Sequence, residues 1–214
     1  MWTDVDRIVA HLRAHGAGPR HEQHLLRTWA QALPLARARR QPETFLPRAL
    51  REAWGPLAEA LDALVRLRSS HPGADGSERL LLDLADGQAV EAVLLPRGGL
   101  CVSTQVGCAV GCTFCMTGRS GLLRQLGSAE IVAQVALARR RRAVSKVVFM
   151  GMGEPAHNLE AVLSAIELLG TAGGIGHKNL VFSTVGDWRA FERLGQGRVK
   201  PALALSLHST QASR

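Results

Sequence analysis

The first third of the chain carries apolar residues three and four positions apart, the spacing of one buried helix face. The first two such runs contain Val5, Ile8, Val9 and Leu12, and then Leu25, Leu26, Trp29 and Leu33. Two further helices are predicted at 47–54 and 57–67, with Gly55-Pro56 separating them. Residues 1–70 are therefore predicted to form a helical domain.

Turn-forming residues follow at 69–77 (SSHPGADGS) and predict a linker. Apolar strands are then expected at 79–84 and 89–95, because Asp86-Gly87 between them is a strong signal for a tight hairpin. Glu91 lies inside the second strand, where it either faces solvent or points into a site. We predict a linker and a small β-hairpin over residues 71–97.

Strand and helix patterns alternate from Leu100 onward. Strands are predicted at 100–104, 146–150, 179–183 and 202–207, and helices at 128–142, 158–169 and 187–194, with Ser128 and Asn158 as N-caps. Repeated strand–helix units with apolar strands predict an α/β fold with a parallel sheet. In such sheets and barrels, ligands bind at the carboxyl ends of the strands.

Composition adds a charge argument to this pattern. The formal net charge is +8 and the isoelectric point is near 10.5. Such a balance favours a polyanionic partner, RNA or DNA, although an arginine-rich composition is the simpler explanation of part of the charge. In the helical domain, the arginines that could contact an RNA backbone, or instead form a solvated face, are Arg37, Arg39, Arg40, Arg48 and Arg51.

No apolar run is long enough to span a bilayer, and the first sixteen residues mix charges throughout. The expectation is a cytoplasmic protein without a membrane partner.

Three of the four cysteines fall in one short loop, GCAVGCTFCMTG at 107–118. Cys108, Cys112 and Cys115 are too close in sequence for unstrained disulfides, so metal ligation is the better interpretation. A structural zinc site needs four ligands, whereas three thiolates on a four-iron cluster leave one iron open to a small molecule. A zinc knuckle that recruits Cys101, and inert core cysteines, are the alternatives.

The loop C-x-x-x-C-x-aromatic-C, with Phe114 as the aromatic residue, resembles the radical S-adenosylmethionine (SAM) superfamily. Four further segments resemble the RlmN/Cfr family of RNA adenosine methyltransferases: CVSTQVGC (101–108), FMGMGEP (149–155), STVG (183–186) and ALSLHS (204–209). The resemblance implies a partial (β/α) barrel of the radical SAM type over residues 98–214, incomplete at the C-terminus, after the helical domain and the hairpin.

The same resemblance implies the site residues. A [4Fe-4S] cluster would be held by Cys108, Cys112 and Cys115. The residues that match SAM contacts are Gly153, Glu154, Ser183, Ser206, Leu207 and His208. Glu91 matches a proton acceptor, and Cys101 matches a cysteine that forms a transient disulfide to resolve the covalent RNA adduct.

The implied reaction is methylation of an adenosine base carbon in ribosomal RNA, with transfer RNA as a second substrate. Of the two base carbons that the family leaves open, C2 and C8, C2 is the favoured target. Implied partners are RNA and an electron donor such as flavodoxin or ferredoxin, and the protein is expected to be a monomer. In the family, a cysteine near the C-terminus carries the methyl group, but no cysteine follows Cys115 here. We therefore expect a C-terminally truncated chain that does not transfer methyl groups.

Two other functions remain open at this point. One is a non-catalytic basic RNA-binding module with a structural cluster, and the other is a different radical reaction on RNA or protein.

Overall fold

The computed structural model describes residues 2–36 and 41–207. Its N-terminal helices are α1 (Val5–Ala14), α2 (Pro19–Ala30), α3 (Pro42–Phe45) and α4 (Arg48–Asp62). The predicted break at Gly55-Pro56 is wrong, because α4 runs through it. Leu50, Trp54, Leu57 and Leu61 form one buried face of this helix, and their burial offsets the hydrogen bond that Pro56 cannot donate.

The predicted fourth helix also ends too late. Residues 65–72 form the strand β1 (Val65–Pro72), which pairs antiparallel with β2 (Glu78–Leu84). Val65 and Leu67 alternate with Arg66 and Arg68, which is the pattern of a strand. The same apolar residues also fit the helical spacing of the preceding segment, which is why a helix was predicted. The predicted hairpin is confirmed, since β2 pairs antiparallel with β3 (Ala89–Leu95).

The remaining elements alternate between strands and helices. In chain order they are β4 (Gly99–Val102), β5 (Gln105–Gly107), β6 (Leu122–Gln125), α5 (Ser128–Arg139), β7 (Lys146–Phe149), α6 (Leu159–Gly170), β8 (Leu180–Thr184), α7 (Trp188–Gln196) and β9 (Ala202–Leu205). One seven-stranded sheet has the order β1-β2-β3-β4-β7-β8-β9, and β5 pairs with β6 alone.

The four strands β4, β7, β8 and β9 are parallel, as predicted. Within the described segments they form an open sheet and no closed barrel. The predicted α/β class with a partial barrel is therefore confirmed. None of the described helices is long and apolar enough to cross a lipid bilayer.

The two faces of the parallel strands differ in burial. One face is fully buried and consists of Leu100, Val147, Phe149, Leu180 and Phe182. The opposite face carries a row of directly paired residues, Cys101, Val148 and Val181, all only partly buried. Side chains on this second face can therefore approach a ligand.

Of the two predicted N-caps, Asn158 is confirmed in position, whereas Ser128 is wrong because Gly127 is the N-cap residue of α5. The Ser128 hydroxyl accepts a hydrogen bond from the Val5 N–H at 2.9 Å and so links α5 to α1. Asn158 occupies the N-cap position of α6, but its amide donates to the carbonyls of Thr104 and Leu126. Both side chains serve tertiary contacts in place of local caps.

Helices α1, α2 and α4 contribute to the same hydrophobic core as the sheet. The domain boundaries at residues 70 and 97 stay predictions.

Candidate functional site

The three-cysteine loop lies between β5 and β6, so a two-stranded ladder supports both of its ends. The loop closes tightly: Gly107 has φ +79°, and a Cβ there would lie 2.0 Å from the carbonyl oxygen of Gly121. The Cys108 N–H donates to that carbonyl at 3.0 Å, and the Cys115 N–H donates to the Cys112 carbonyl at 3.0 Å. All three thiols are free and partly exposed.

The Gly-rich segment GMGEP follows β7, at the carboxyl end of the parallel sheet. Glu154 is only 5% exposed. One carboxylate oxygen accepts from the Ala156 N–H and the other accepts from the Val185 N–H, each at 3.0 Å. Two backbone donors therefore hold a buried carboxylate in one orientation.

Ser183 and Ser206 lie at the carboxyl ends of the next two strands. Ser183 lies within β8, Ser206 follows β9, and their hydroxyl oxygens are 3.1 Å apart. Leu207 is largely exposed beyond Ser206. His208 lies outside the described residues.

A cavity of about 150 Å³ joins these segments. The candidate residues that line it are Cys108, Cys112, Cys115, Gly153, Glu154, Ser183 and Ser206, together with Phe114 and Met150. The sequence motifs thus meet around a single space, although they are separated by up to about a hundred residues in the chain.

Glu91 and Cys101 lie apart from this cavity lining but share a face of the sheet with Ser183. Val93 pairs directly with Cys101, Cys101 with Val148, and Val148 with Val181, so these residues form one row across the sheet. Glu91 lies two residues before Val93 and Ser183 two residues after Val181, which places both on the face of that row. The Glu91 carboxylate accepts from Arg79 at 3.2 Å and is partly exposed. Burial raises the pKa of the Cys101 thiol to about 11.

The donor set was tested against the implied cluster. Among the described residues, no three His, Cys, Asp or Glu side chains converge on a point where they would hold one ion. A four-iron cluster binds each thiolate through a different iron, so its ligands need not converge. Burial opposes ionisation of Cys115, but hydrogen bonds from Gly118 and Thr117 outweigh it and lower the pKa of this thiol. The loop therefore fits a cluster better than a single ion.

The sequence profile of the Radical SAM superfamily matches residues 102–212, about half of the chain and nearly all of the parallel sheet. The chain belongs to the radical SAM superfamily. A solved radical SAM methyltransferase from Sphaerobacter thermophilus superposes with a TM-score of 0.76 at 32% identity, over 96% of this chain and 62% of that one.

Curated relatives are more similar in sequence than this radical SAM structure. A probable RNA methyltransferase from Leptothrix cholodnii is 71% identical over 97% of this chain and 60% of its own length. Another from Methylibium petroleiphilum is 73% identical over 97% of this chain and 58% of its own length. The radical SAM chain therefore spans about 60% of the length of the curated relatives it matches.

Two residues next to the site have no assigned role from sequence. Gln105 and Gln125 pair across β5 and β6, and Gln105 contacts the backbone of Glu154. Gln105 lies inside the CVSTQVGC segment, close to the first cysteine of the loop. A polar residue at that place is the sequence feature that could have indicated a role next to the site.

The raised pKa of Cys101 predicts slow alkylation of this thiol. Raising a thiol pKa lowers the thiolate fraction at a given pH, so at pH 8 only about one Cys101 in a thousand should be ionised. In the cluster-free chain, the iodoacetamide rate at Cys101 should rise about tenfold per pH unit between about pH 8 and pH 10. Mass spectrometry of the peptide that carries Cys101 measures this. A rate that levels off by pH 9, as for an ordinary thiol, would contradict the prediction.

Proposed function

We propose that this chain carries the SAM-binding and SAM-cleaving part of an RNA methyltransferase. Its target would be an adenosine base carbon, C2, in ribosomal RNA, with transfer RNA as a second substrate. The observation that supports this most strongly is the shared cavity, where three cysteines face Gly153, Glu154, Ser183 and Ser206. The names of the curated relatives, probable RNA methyltransferases, support the RNA substrate.

Within the cavity, Cys108, Cys112 and Cys115 would hold three irons of the cluster and leave the fourth for the amino and carboxylate groups of SAM. When bound, the cluster supplies the electron that cleaves SAM reductively, and a flavodoxin or ferredoxin would deliver that electron in the cytoplasm. Glu154 already accepts two backbone hydrogen bonds, but each carboxylate oxygen retains a second acceptor position for a cationic amino group.

The hydroxyls of Ser183 and Ser206 can donate to ligand oxygens, because a hydroxyl rotates to suit its partner. Leu207 would contact SAM next to Ser206, and the sequence motif assigns the same role to His208. The pairing of the two serines holds the ends of β8 and β9 together on one side of the cavity.

Glu91 and Cys101 would act on the RNA on the sheet face that also carries Ser183. Glu91 is partly exposed, so a proton that it accepts from the base can pass to water. Cys101 is the remaining thiol outside the loop, and its burial protects it from adventitious oxidation until an adduct has to be resolved.

The helical domain is proposed as an RNA-binding surface. Arg37, Arg39 and Arg40 lie outside the described residues, whereas Arg48 is exposed and forms an i,i+4 ion pair with Glu52. A deletion of residues 1–70 would remove most of β1, so a substitution is the cleaner test.

Arg48→Gln should weaken binding of a ribosomal RNA fragment and reduce the slope of log affinity against log salt by about 1, because one phosphate contact is lost. The matched control is Arg198→Gln, since Arg198 is an exposed arginine paired with Glu167 outside this domain. Fluorescence anisotropy between low and moderate salt measures both. Equal slopes for the two variants would place the RNA surface elsewhere.

The proposed function predicts SAM cleavage without methyl transfer by the 214-residue chain. The reconstituted and reduced chain should form 5′-deoxyadenosine slowly. Methylated adenosine should be undetectable in added RNA, because no thiol follows Cys115 to carry the methyl group. Mass spectrometry of nucleosides measures both products.

Methyladenosine formed by this chain alone would contradict the role given to a downstream cysteine. RNA binding and a loaded cluster without any 5′-deoxyadenosine would favour the non-catalytic RNA-binding module.

A further inference from the structure

Gln105 begins β5, three residues before Cys108, and is 0% exposed. A fully buried glutamine is uncommon unless its amide is hydrogen-bonded at both ends. Here the side chain contacts the backbone of the segment that contains Glu154. It therefore connects the strand that supports one proposed ligand site with the segment that forms the other.

The amide of Gln105 uses both of its polar atoms. Its oxygen accepts from the Glu154 N–H at 2.8 Å, and its nitrogen donates to the side-chain oxygen of Gln125 at 2.8 Å. The nitrogen of Gln125 in turn donates to the carbonyl oxygen of His157 at 2.8 Å. This chain of two amides, the Gln105–Gln125 relay, holds the GMGEP segment at Glu154 and the backbone that follows it at His157.

Backbone contacts strengthen the same connection. The N–H groups of Thr104 and Gln105 both donate to the Met152 carbonyl, at 2.8 and 3.2 Å. A Cβ at Gly153 would lie 2.5 Å from the Cβ of Gln105, so the segment packs directly on the glutamine stem. Any change at residue 105 is thus transmitted to the backbone of Gly153 and Glu154.

We propose that Gln105 is a positioning residue that fixes the Glu154 carboxylate relative to the cysteine loop, so that SAM affinity depends on its amide. This inference rests on the proposed function, because it assumes that the cavity binds SAM. An amide fits both contacts, because its oxygen accepts from the Glu154 N–H while its nitrogen donates to Gln125. Gln105 need not touch SAM, and it acts through the orientation of Glu154.

The test compares Gln105→Leu with Gln134→Leu. Gln134 is also 0% exposed, and its amide bonds the N–H and the carbonyl of Ser103, each at 2.9 Å. Gln105→Leu loses two hydrogen bonds, and Gln134→Leu loses the two to Ser103 and a longer one to the Glu130 carbonyl at 3.4 Å. The urea midpoint should therefore fall at least as far in Gln134→Leu as in Gln105→Leu. Gln105→Leu should weaken SAM binding to the reconstituted chain by about tenfold. Gln134→Leu should weaken it much less, because Gln134 reaches the GMGEP segment only through Ser103, whose hydroxyl accepts from the Met152 N–H. Equilibrium dialysis with radiolabelled SAM measures the affinity.

A second variant keeps the inference testable if Gln105→Leu does not fold. Gln125 is exposed, so Gln125→Ala removes the outer half of the Gln105–Gln125 relay without opening the core. We expect it to weaken SAM binding about threefold and to lower the urea midpoint less than Gln105→Leu does, because Gln105 keeps its bond to the Glu154 N–H and loses only the partner of its amide nitrogen. Without SAM, the electron paramagnetic resonance (EPR) spectra of the reduced variants should match the wild-type spectrum. A higher SAM concentration should be required to change the spectra of the variants.

Equal SAM affinities in the two leucine variants, or an unchanged affinity in Gln125→Ala, would overturn this inference while leaving the proposed function intact. A wild-type chain that holds its cluster and binds no SAM would instead overturn the proposed function, and the inference with it.

Discussion

Replacing Cys112 with alanine should abolish cluster loading. Wild-type chain reconstituted anaerobically with iron and sulfide should bind about four of each per chain. Cys112 is the middle of the three thiols that line the cavity, and two thiolates on one loop cannot retain the cluster. Colorimetric iron and sulfide analysis of the desalted protein measures the loss.

Cys101→Ala is the matched control for this experiment. Cys101 lies on β4 within the sheet and not on the loop, so its removal should leave iron and sulfide at wild-type levels. The zinc-knuckle alternative makes the opposite prediction, since it requires Cys101 as the fourth ligand. Loss of metal in Cys101→Ala, with retention in Cys112→Ala, would contradict the assignment.

Gly153→Ala should have the largest effect outside the cysteines. Gly153 has φ +100°, and an alanine Cβ there would lie 2.5 Å from the Cβ of Gln105. Backbone strain and overpacking together should lower the free energy of unfolding by about 2–4 kcal/mol. Displacement of Glu154 should also weaken SAM binding by about tenfold or more.

Gly76→Ala separates the two causes. Gly76 has φ +80°, but a Cβ there would meet nothing within 4 Å, so this variant should lose only about 1 kcal/mol. Urea unfolding gives the stability of both variants and equilibrium dialysis gives the SAM affinity. If Gly153→Ala is no less stable than Gly76→Ala and binds SAM normally, the close packing of this segment has no functional role.

The secondary structure was predictable where a single periodicity dominated. The hairpin around Asp86-Gly87 and the four parallel strands were found because turn residues or apolar runs marked them. Residues 65–67 were assigned to a helix because a helical pattern from α4 continues into them and only pairing with β2 selects the strand. The short strands β5 and β6 were missed because three or four residues carry too little periodicity.

Neither predicted N-cap side chain bonds its own helix, although Asn158 does occupy the N-cap position of α6. A serine or asparagine at a helix start usually bonds its own helix, but Ser128 and Asn158 bond distant backbone groups. Tertiary contacts of this kind leave no local sequence pattern.

The order of the site motifs along the chain was visible in the sequence, because each motif follows a predicted strand. Parallel strands bring their carboxyl ends to one edge, which explains why Gly153, Ser183 and Ser206 meet the cysteine loop. The role of Gln105 could not be predicted, because it depends on the packing of Gly153 against one particular side chain.

We propose that the cysteine loop and Glu154 form one site for a cluster and SAM. EPR spectroscopy of the reconstituted, dithionite-reduced chain, recorded with and without SAM, tests it most directly. We predict the signal of a reduced four-iron cluster, a change of that signal on addition of SAM, and a higher SAM requirement in Glu154→Gln. A four-iron signal that stays the same at saturating SAM would contradict the claim, because no open iron would then face the SAM site.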